Sequence, residues 1–417
     1  MAAPPQPNDA NNAMSEPLVV IGNGMAAARL VDELAKRSLG RYAVAVVGEE
    51  PRLAYNRVLL SSVLAGEVQT SDIVLKPARW WHDRGVTLRY GCAATEVNLA
   101  ARTVGLADGT YLPFRKLVFA TGSQPIMPPI PGTQLDGVFT FRDVADVETI
   151  TASTGADTRV VVIGGGLLGL EAAYGLARAG TRVTLVHLMD RLMERQLDAR
   201  AAAMLKHTVE SKGIRVELQA ETAAIVGGNR VEAVALKDGR AIAADAVVVA
   251  IGIRPHSALA RSAGIKVGRG IMVDDRLETS VSGIHAIGEC AEHAGVCYGL
   301  VEPAYEQAKV LADHLSGKSA GYFGSVLATN LKVSGVHVFS AGDFIGNPGT
   351  EQIVFADRGL GTYKKFVIAD GRLTGTVLFG DTADGPWYLD LIRSGAPIEA
   401  FRNDLVFGRA FSERQAA

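Results

Sequence analysis

The sequence predicts an α/β chain in which one parallel-sheet plan is used twice, followed by a smaller α+β domain. Three observations carry this. A strand, glycine turn and helix with G-x-G-x-x-G spacing occurs at Gly22 and again at Gly164, about 140 residues later. Each is followed, about 85 to 100 residues on, by an apolar strand ending in glycine, at Gly122 and Gly252. From Tyr322 onward, short strand patterns alternate with Gly and Asp turns. Together these give two Rossmann-like three-layer dinucleotide-binding domains, one inserted in the other, and a C-terminal α+β domain. The expected spans are a tail at 1–16, the first domain at 17–124 and 253–321, the inserted domain at 125–252 and the last domain at 322–417.

The stretch from Arg159 to Ala173 is the clearest part of the pattern. Val160 to Ile163 read as a buried parallel strand, and Gly164, Gly166 and Gly169 follow. The first glycine allows the tight turn, the second lets a pyrophosphate approach the backbone, and the third lets helix pack on strand. Leu167 and Leu168 open the helix, whose N-terminus offers unpaired N–H groups and a positive dipole end. Glu171 lies just inside it, either pointing at a nicotinamide site or sitting as a helix-start carboxylate favoured by the dipole. Val19 to Ala27 has the same form, with Gly22, Gly24 and Met25-Ala26-Ala27, the last in the third glycine's place.

Composition excludes several classes. The apolar fraction is 48%, the charged fraction 21% and the net charge −2, so neither nucleic acid nor an anionic membrane is an expected partner. Gly at 46 of 417 exceeds the usual share of about 7%, as tight phosphate-binding turns require. Cys92, Cys290 and Cys297 are too few for a disulfide framework, which favours a reducing, cytoplasmic setting. No apolar run reaches the roughly 18–20 residues of a membrane span. Residues 1 to 17 lack the basic start and apolar core of a signal peptide and read as a disordered tail, with Met14 a candidate start.

Taken in order, Leu18 to Ile21 is the first strand and Tyr42 to Val47 the second, ending at Gly48-Glu49-Glu50. Glu49 stands where an acid can bind ribose hydroxyls; the alternative is a surface carboxylate. Arg57 suits a phosphate or a flavin carbonyl through its fixed fork of donors, or else lies solvated over apolar surface. Residues 72 to 112 read as a helix and short strands, Thr87 to Tyr90 and Thr103 to Leu106. The strand from Lys116 ends in Ala120-Thr121-Gly122, matched later by the strand ending at Gly252. After the strand Arg182 to Val186, His187 stands where NADH would call for an acid, with Arg191 and Arg195 nearby, and Arg there accepts the extra phosphate of NADPH. Leu192 to Gly213 reads as a helix. Gly288-Glu289 ends a short strand before a helix, and Glu302-Pro303 opens another. Val336 to Ser340 and Tyr363 to Ala369 read as strands of an antiparallel sheet. His293 and His337 have no metal-ligand spacing, so no metal site is expected.

These residues together resemble the two-dinucleotide pyridine nucleotide-disulfide oxidoreductase superfamily. At a finer level the chain is similar to its rubredoxin- and ferredoxin-reductase-like members and to the FAD/NADH part of the bacterial nitrite reductase large subunit. The pieces that carry the resemblance are Tyr55 to Gly66, His187 to Asp198, Ala286 to Ala291 and Tyr298 to Ala308. It implies FAD around Gly22, Gly24, Glu49, Arg57 and Gly288-Glu289, and NADH, with NADPH as the alternative, on Gly164, Gly166 and Gly169. Superfamily members usually carry Asp where Glu289 stands; the nitrite reductase relatives look like this chain.

Two absences narrow the expected activity. No cysteine lies between residues 50 and 66, so dithiol or cysteine-sulfenate chemistry is not expected. Three scattered cysteines cannot supply an iron–sulfur cluster. Ser62 occupies the position of a lysine often found in the rubredoxin-reductase branch. The expectation is an FAD-dependent NAD(P)H oxidoreductase, with Glu171 in a catalytic role, passing hydride to FAD and electrons to a separate acceptor. That acceptor is expected to be a nitrate or nitrite assimilation metalloprotein, with a rubredoxin or ferredoxin partner, an NADH oxidase, and a non-catalytic FAD/NADH-binding interaction protein as alternatives. The C-terminal domain would serve as a docking or homodimer surface.

Overall fold

The computed structural model describes residues 15–333 and 336–415. Most of the expected tail, Met14 included, lies outside the described residues, and Glu16 already begins a strand. The chain divides into two compact units. One holds the residues up to Leu59 with Gln69–Gln124 and Ile253–Ser325; the other holds Leu60–Val68, Pro125–Gly252 and the chain from Val326.

In the first unit the strands Ile284–Ala286, Lys116–Phe119, Glu16–Ile21, Tyr42–Gly48 and Thr87–Tyr90 form a parallel sheet in that spatial order. Leu18 lies beside Val44 on one neighbour and Lys116 on the other. Strand side chains alternate between faces. Leu18 and Val20 therefore pack with Leu30, Leu34, Leu311 and Leu315 of the helices Met25–Ala35 and Val301–Leu315. Val19 and Ile21 pack on the other face with Val97, Val104 and Leu106. Those three belong to an antiparallel sheet of Ala94–Asn98, Thr103–Leu106 and Tyr111–Pro113. The Ala94–Asn98 strand has only Val97 buried, and so weak an apolar pattern escaped the sequence reading. Arg37, just past the end of the Met25–Ala35 helix, forms a 2.8 Å ion pair with Asp313 of the Val301–Leu315 helix.

The second unit repeats the plan. Its parallel sheet runs Arg215–Glu217, Arg182–Val186, Arg159–Ile163, Ala246–Val249 and Val138–Thr140. Val161, Ile163, Val247 and Val249 pack against Ile225, Val231 and Val234 of a second three-stranded antiparallel sheet. The Leu60–Leu64 helix lies against the Leu167–Arg178 helix, where Gly175 leaves room: a Cβ there would come 3.0 Å from the Ser61 carbonyl.

Two sequence readings are corrected here. The helix expected from Leu192 begins only at Ala199, because Asp198 caps it by accepting from the Ala201 N–H at 2.9 Å. Residues 192–196 are instead a turn, with Met193 at φ 50°. The Gly288-Glu289 turn leads into a strand, Ala291–His293, and the next helix starts only at Val301.

The C-terminal part is a five-stranded antiparallel sheet in the order Ala328–Val333, Val336–Gly342, Arg372–Phe379, Thr362–Ala369, Glu351–Asp357. Asp370 and Gly371, at φ 49° and 67°, make the two-residue turn of its central hairpin. The Gly385–Ser394 helix covers one face through Tyr388 and Leu389.

Candidate functional site

The two glycine turns are built by the same contacts. Gly22 N–H donates to the Val47 carbonyl at 2.7 Å, and Gly164 N–H to that of Val186 at 2.8 Å. Their φ values are 112° and 125°, and a Cβ on either would lie about 2 Å from a carbonyl of the next strand. For Gly22 that oxygen is Ala120 at 2.1 Å, and for Gly164 it is Ala250 at 2.2 Å. Glycine is therefore obligatory at both. The third position differs: a Cβ on Gly169 would fall 1.9 Å from the Gly164 carbonyl, whereas the first turn accommodates Ala27, fully buried.

Gly24 and Gly166 are another matter. Both are helix N-caps in extended conformation, and a Cβ on either would meet nothing within 4 Å. Packing does not require glycine there, and its absence of a side chain leaves the space before the helix open. The helices begin at Met25-Ala26-Ala27 and at Leu167-Leu168-Gly169, with no acidic side chain in either first turn. The first N–H groups of each helix thus have no intrahelical acceptor and no carboxylate from their own first turn. Beside Gly24, Asn23 Oδ1 is buried without a partner, while its Nδ2 donates to the Arg52 carbonyl at 3.1 Å. An open cradle and a positive helix end fit a phosphate, and the orphaned Asn23 acceptor fits a hydroxyl or N–H donor of the same ligand.

Around the first turn, Glu49 is exposed at the end of its strand. Its neighbour Glu50, which the sequence reading passed over, accepts from Tyr55 Oη at 2.6 Å and forms an ion pair with Arg57. Arg57 lies over the Tyr55 ring, 5.1 Å from its centroid. The Ala120-Thr121-Gly122 turn is pinned by Ala120 N–H to Ile21, by Thr121 Oγ1 to the His256 carbonyl at 2.6 Å, and by Gly122 accepting from His256 N–H at 2.9 Å. Ser123 Oγ donates to Glu289 at 2.7 Å, which brings this turn against Gly288-Glu289. Gly288, at φ 78°, would place a Cβ 3.0 Å from that of Ala26, so it closes onto the start of the first helix. Its N–H donates to Gln307 Oε1 at 2.7 Å. Glu302 is exposed and Pro303 buried in the first turn of that same Val301–Leu315 helix.

Around the second turn the decisive residue is His187. Its ring is buried, Nδ1 accepts from the Gly165 N–H at 3.0 Å, and Nε2 lies 3.1 Å from Glu194. Arg191 is engaged with Asp190 at 3.0 Å, and Arg195 is exposed. Gly252, at φ 125°, is exposed, and its carbonyl accepts from the Ile126 N–H at 3.0 Å. Glu171 is half-buried, and desolvation pushes its carboxyl up to about 8. Cys290 is fully buried, and desolvation raises its thiol above the usual range, so it is inert packing. Among the described residues no cluster of ligating side chains suits a metal. Nor, among the described residues, is any helix long and apolar enough to cross a membrane.

Residues 16–312 match the family described as pyridine nucleotide-disulphide oxidoreductase, and 328–396 match the rubredoxin NAD+ reductase C-terminal domain. The chain belongs to the pyridine nucleotide-disulphide oxidoreductase family.

Its relatives in that family include a nitrite reductase [NAD(P)H] of Bacillus subtilis, 44% identical over 91% of this chain and 48% of the relative. An assimilatory nitrate reductase electron transfer subunit of the same organism is 40% identical over 93% of this chain and 51% of the relative. The chain thus spans about half the length of these two relatives. Among solved structures, a covalent putidaredoxin reductase–putidaredoxin complex superposes with a TM-score of 0.86 at 25% identity, covering 96% of this chain and 99% of the other. Members of this family bind FAD and NAD(P)H. The α/β architecture expected from the two glycine turns is borne out, C-terminal domain included.

Proposed function

We propose that this chain is an FAD-dependent NAD(P)H oxidoreductase that delivers electrons to a separate acceptor protein. The observation that carries the reading is the duplicated turn, in which Gly22 and Gly164 are locked by the same contacts while Gly24 and Gly166 stay open toward their helix ends. The first domain, 17–124 with 253–321, is assigned FAD, the inserted 125–252 the nicotinamide dinucleotide, and 322–417 the docking or self-association surface. FAD, when bound, couples two-electron donors to one-electron acceptors.

The chain's own part is holding and orienting. Met25, Ala26 and Ala27 present the first helix end to the FAD pyrophosphate, and Leu167, Leu168 and Gly169 present the second to the nicotinamide dinucleotide. Glu49 is assigned the FAD ribose. Ala120, Thr121, Gly122, Gly288, Glu289, Glu302 and Pro303 line the remaining FAD path, with Arg57 fixed beside it by Glu50. Gly252 plays the part of Gly122 in the second half. Glu171 is assigned the catalytic role, with desolvation holding its carboxyl well above the ordinary carboxylate range.

A nitrate or nitrite assimilation protein is the proposed acceptor, because the relatives named above carry those activities in their names. A ferredoxin or rubredoxin is the second reading, favoured by the C-terminal domain match and by the putidaredoxin reductase likeness. A cytoplasmic location accords with three unpaired cysteines. The test is anaerobic titration: a yellow protein that bleaches with NADH supports the reading, and a protein colourless even after reconstitution with FAD sinks it. Adding each acceptor class to the reduced protein then separates the two partners.

A further inference from the structure

Parallel-sheet dinucleotide sites place an acid at the end of the second strand to accept the ribose hydroxyls. Here that position is His187, and its ring is already committed. Nδ1 accepts from the Gly165 N–H, so Nδ1 carries no proton and Nε2 must carry it. Nε2–H therefore donates to Glu194. The imidazole thus links the glycine turn to a carboxylate seven residues further along the chain.

Three further features hold that carboxylate against the turn. Met193 N–H donates to the Gly165 carbonyl at 3.0 Å. Leu192 and Met193 are fully buried, and Leu192 Cδ2 would lie 2.8 Å from a Cβ on Gly165. Gln196 and Leu197 N–H groups both donate to the Met193 carbonyl, closing the loop on itself. Glu194 itself keeps 22% of its side chain exposed, so it faces both the buried imidazole and the outside of the turn. The nearby cations offset its charge only weakly. Arg191 is paired with Asp190, and Arg195 forms a long 3.9 Å ion pair with Glu194 but keeps 86% of its side chain in water, where such a pair is screened.

We propose that Glu194, positioned by His187, is the residue that selects the unphosphorylated dinucleotide, accepting the adenosine ribose hydroxyls and repelling a 2′-phosphate. This rests on the assignment of the 125–252 domain to the nicotinamide dinucleotide. The residues in sequence left this open: Arg191 and Arg195 beside a missing acid allow NADPH, while the resemblance implies NADH. The fold restores an acid through a neutral ring that supplies only geometry.

The test uses the full-length holoprotein and two fragments without a nicotinamide ring, ADP-ribose and its 2′-phosphate, with binding followed by calorimetry. The wild type should bind ADP-ribose at least about tenfold more tightly than the phosphorylated fragment, as an adjacent carboxylate requires. Glu194→Gln, which keeps size and hydrogen bonding, should bring the ratio to within about threefold, and Glu194→Arg should invert it. His187→Gln should keep most of the discrimination and His187→Leu should lose it, although neither touches the ligand. A wild type that prefers the phosphorylated fragment, or a ratio unmoved by both Glu194 variants, overturns the proposal. Failure of the wild type to bind either fragment would instead strike the assignment of the domain.

Discussion

Tyr363 Oη donates to Asp198 Oδ2 at 2.5 Å, while Asp198 Oδ1 accepts from the Ala201 N–H at 2.9 Å. One carboxylate therefore caps the Ala199–Ser211 helix and anchors a strand of the C-terminal sheet. Burial, followed by this hydrogen bond, raises the Tyr363 phenol above its ordinary range. Buried Lys365 adds a 3.8 Å ion pair to the same group. Asp198→Ala should cost about 2–3 kcal/mol, the sum of a lost cap and stranded buried donors. Tyr363→Phe should cost about 1 kcal/mol. Urea denaturation of both single variants and the double should give a coupling energy; strict additivity would mean the two elements are not joined through this carboxylate.

The glycine turns separate a folding role from a binding role. Gly22→Val has no space, with φ 112° and the Ala120 carbonyl in the way, and should yield little folded protein. Gly24→Val has open space and an extended backbone, so its melting temperature without FAD should fall by no more than about 2 °C. FAD occupancy of that variant should nevertheless drop at least about tenfold, because the branched side chain stands where a phosphate must approach. Absorbance at 450 nm relative to 280 nm reads this directly.

Glu171 gives a pH signature. Its folded value of about 8 lies above the ordinary 4.5, so between those values the native state holds a proton that the unfolded chain has released. Stability therefore falls as pH rises through that window. Glu171→Gln should remove this slope and stabilise the protein at pH 9 by about 1–2 kcal/mol, discounted because the carboxyl keeps some contact with water. Equal thermal shifts for wild type and variant from pH 5 to 9 would contradict it.

His285 gives the opposite slope in the first unit. Its ring is fully buried in the Ile284–Ala286 strand, edge-on to His314, and desolvation lowers it to about 4 from 6.5. Glu278 favours the charged ring, while Lys116 and His314 oppose it. Between pH 6.5 and 4 the unfolded chain binds the extra proton, so stability falls as pH falls. His285→Leu should flatten that loss by about 1–3 kcal/mol at pH 4 while changing little at pH 8. Chemical denaturation at the two pH values is the check.

What the sequence determined by itself was the local and the periodic. Glycine spacing requires no tertiary information, because a positive φ at Gly22 and Gly164 follows from a tight turn between an apolar strand and a helix. The strands Tyr42–Gly48 and Ala246–Val249 were legible because buried parallel strands are continuous apolar runs. The tertiary structure decided what depends on residues far apart or on side-chain direction. Asp198 had to be seen as a cap before the helix start at Ala199 was evident, since the apolar pattern runs on unbroken from Leu192. Glu50 and Glu194 were invisible as site residues because a carboxylate's partner is set by folding, not by its neighbours in sequence. His187 read as a missing acid; only the ring's hydrogen bonds to Gly165 and Glu194 reveal a side chain that passes the acid's place to another residue.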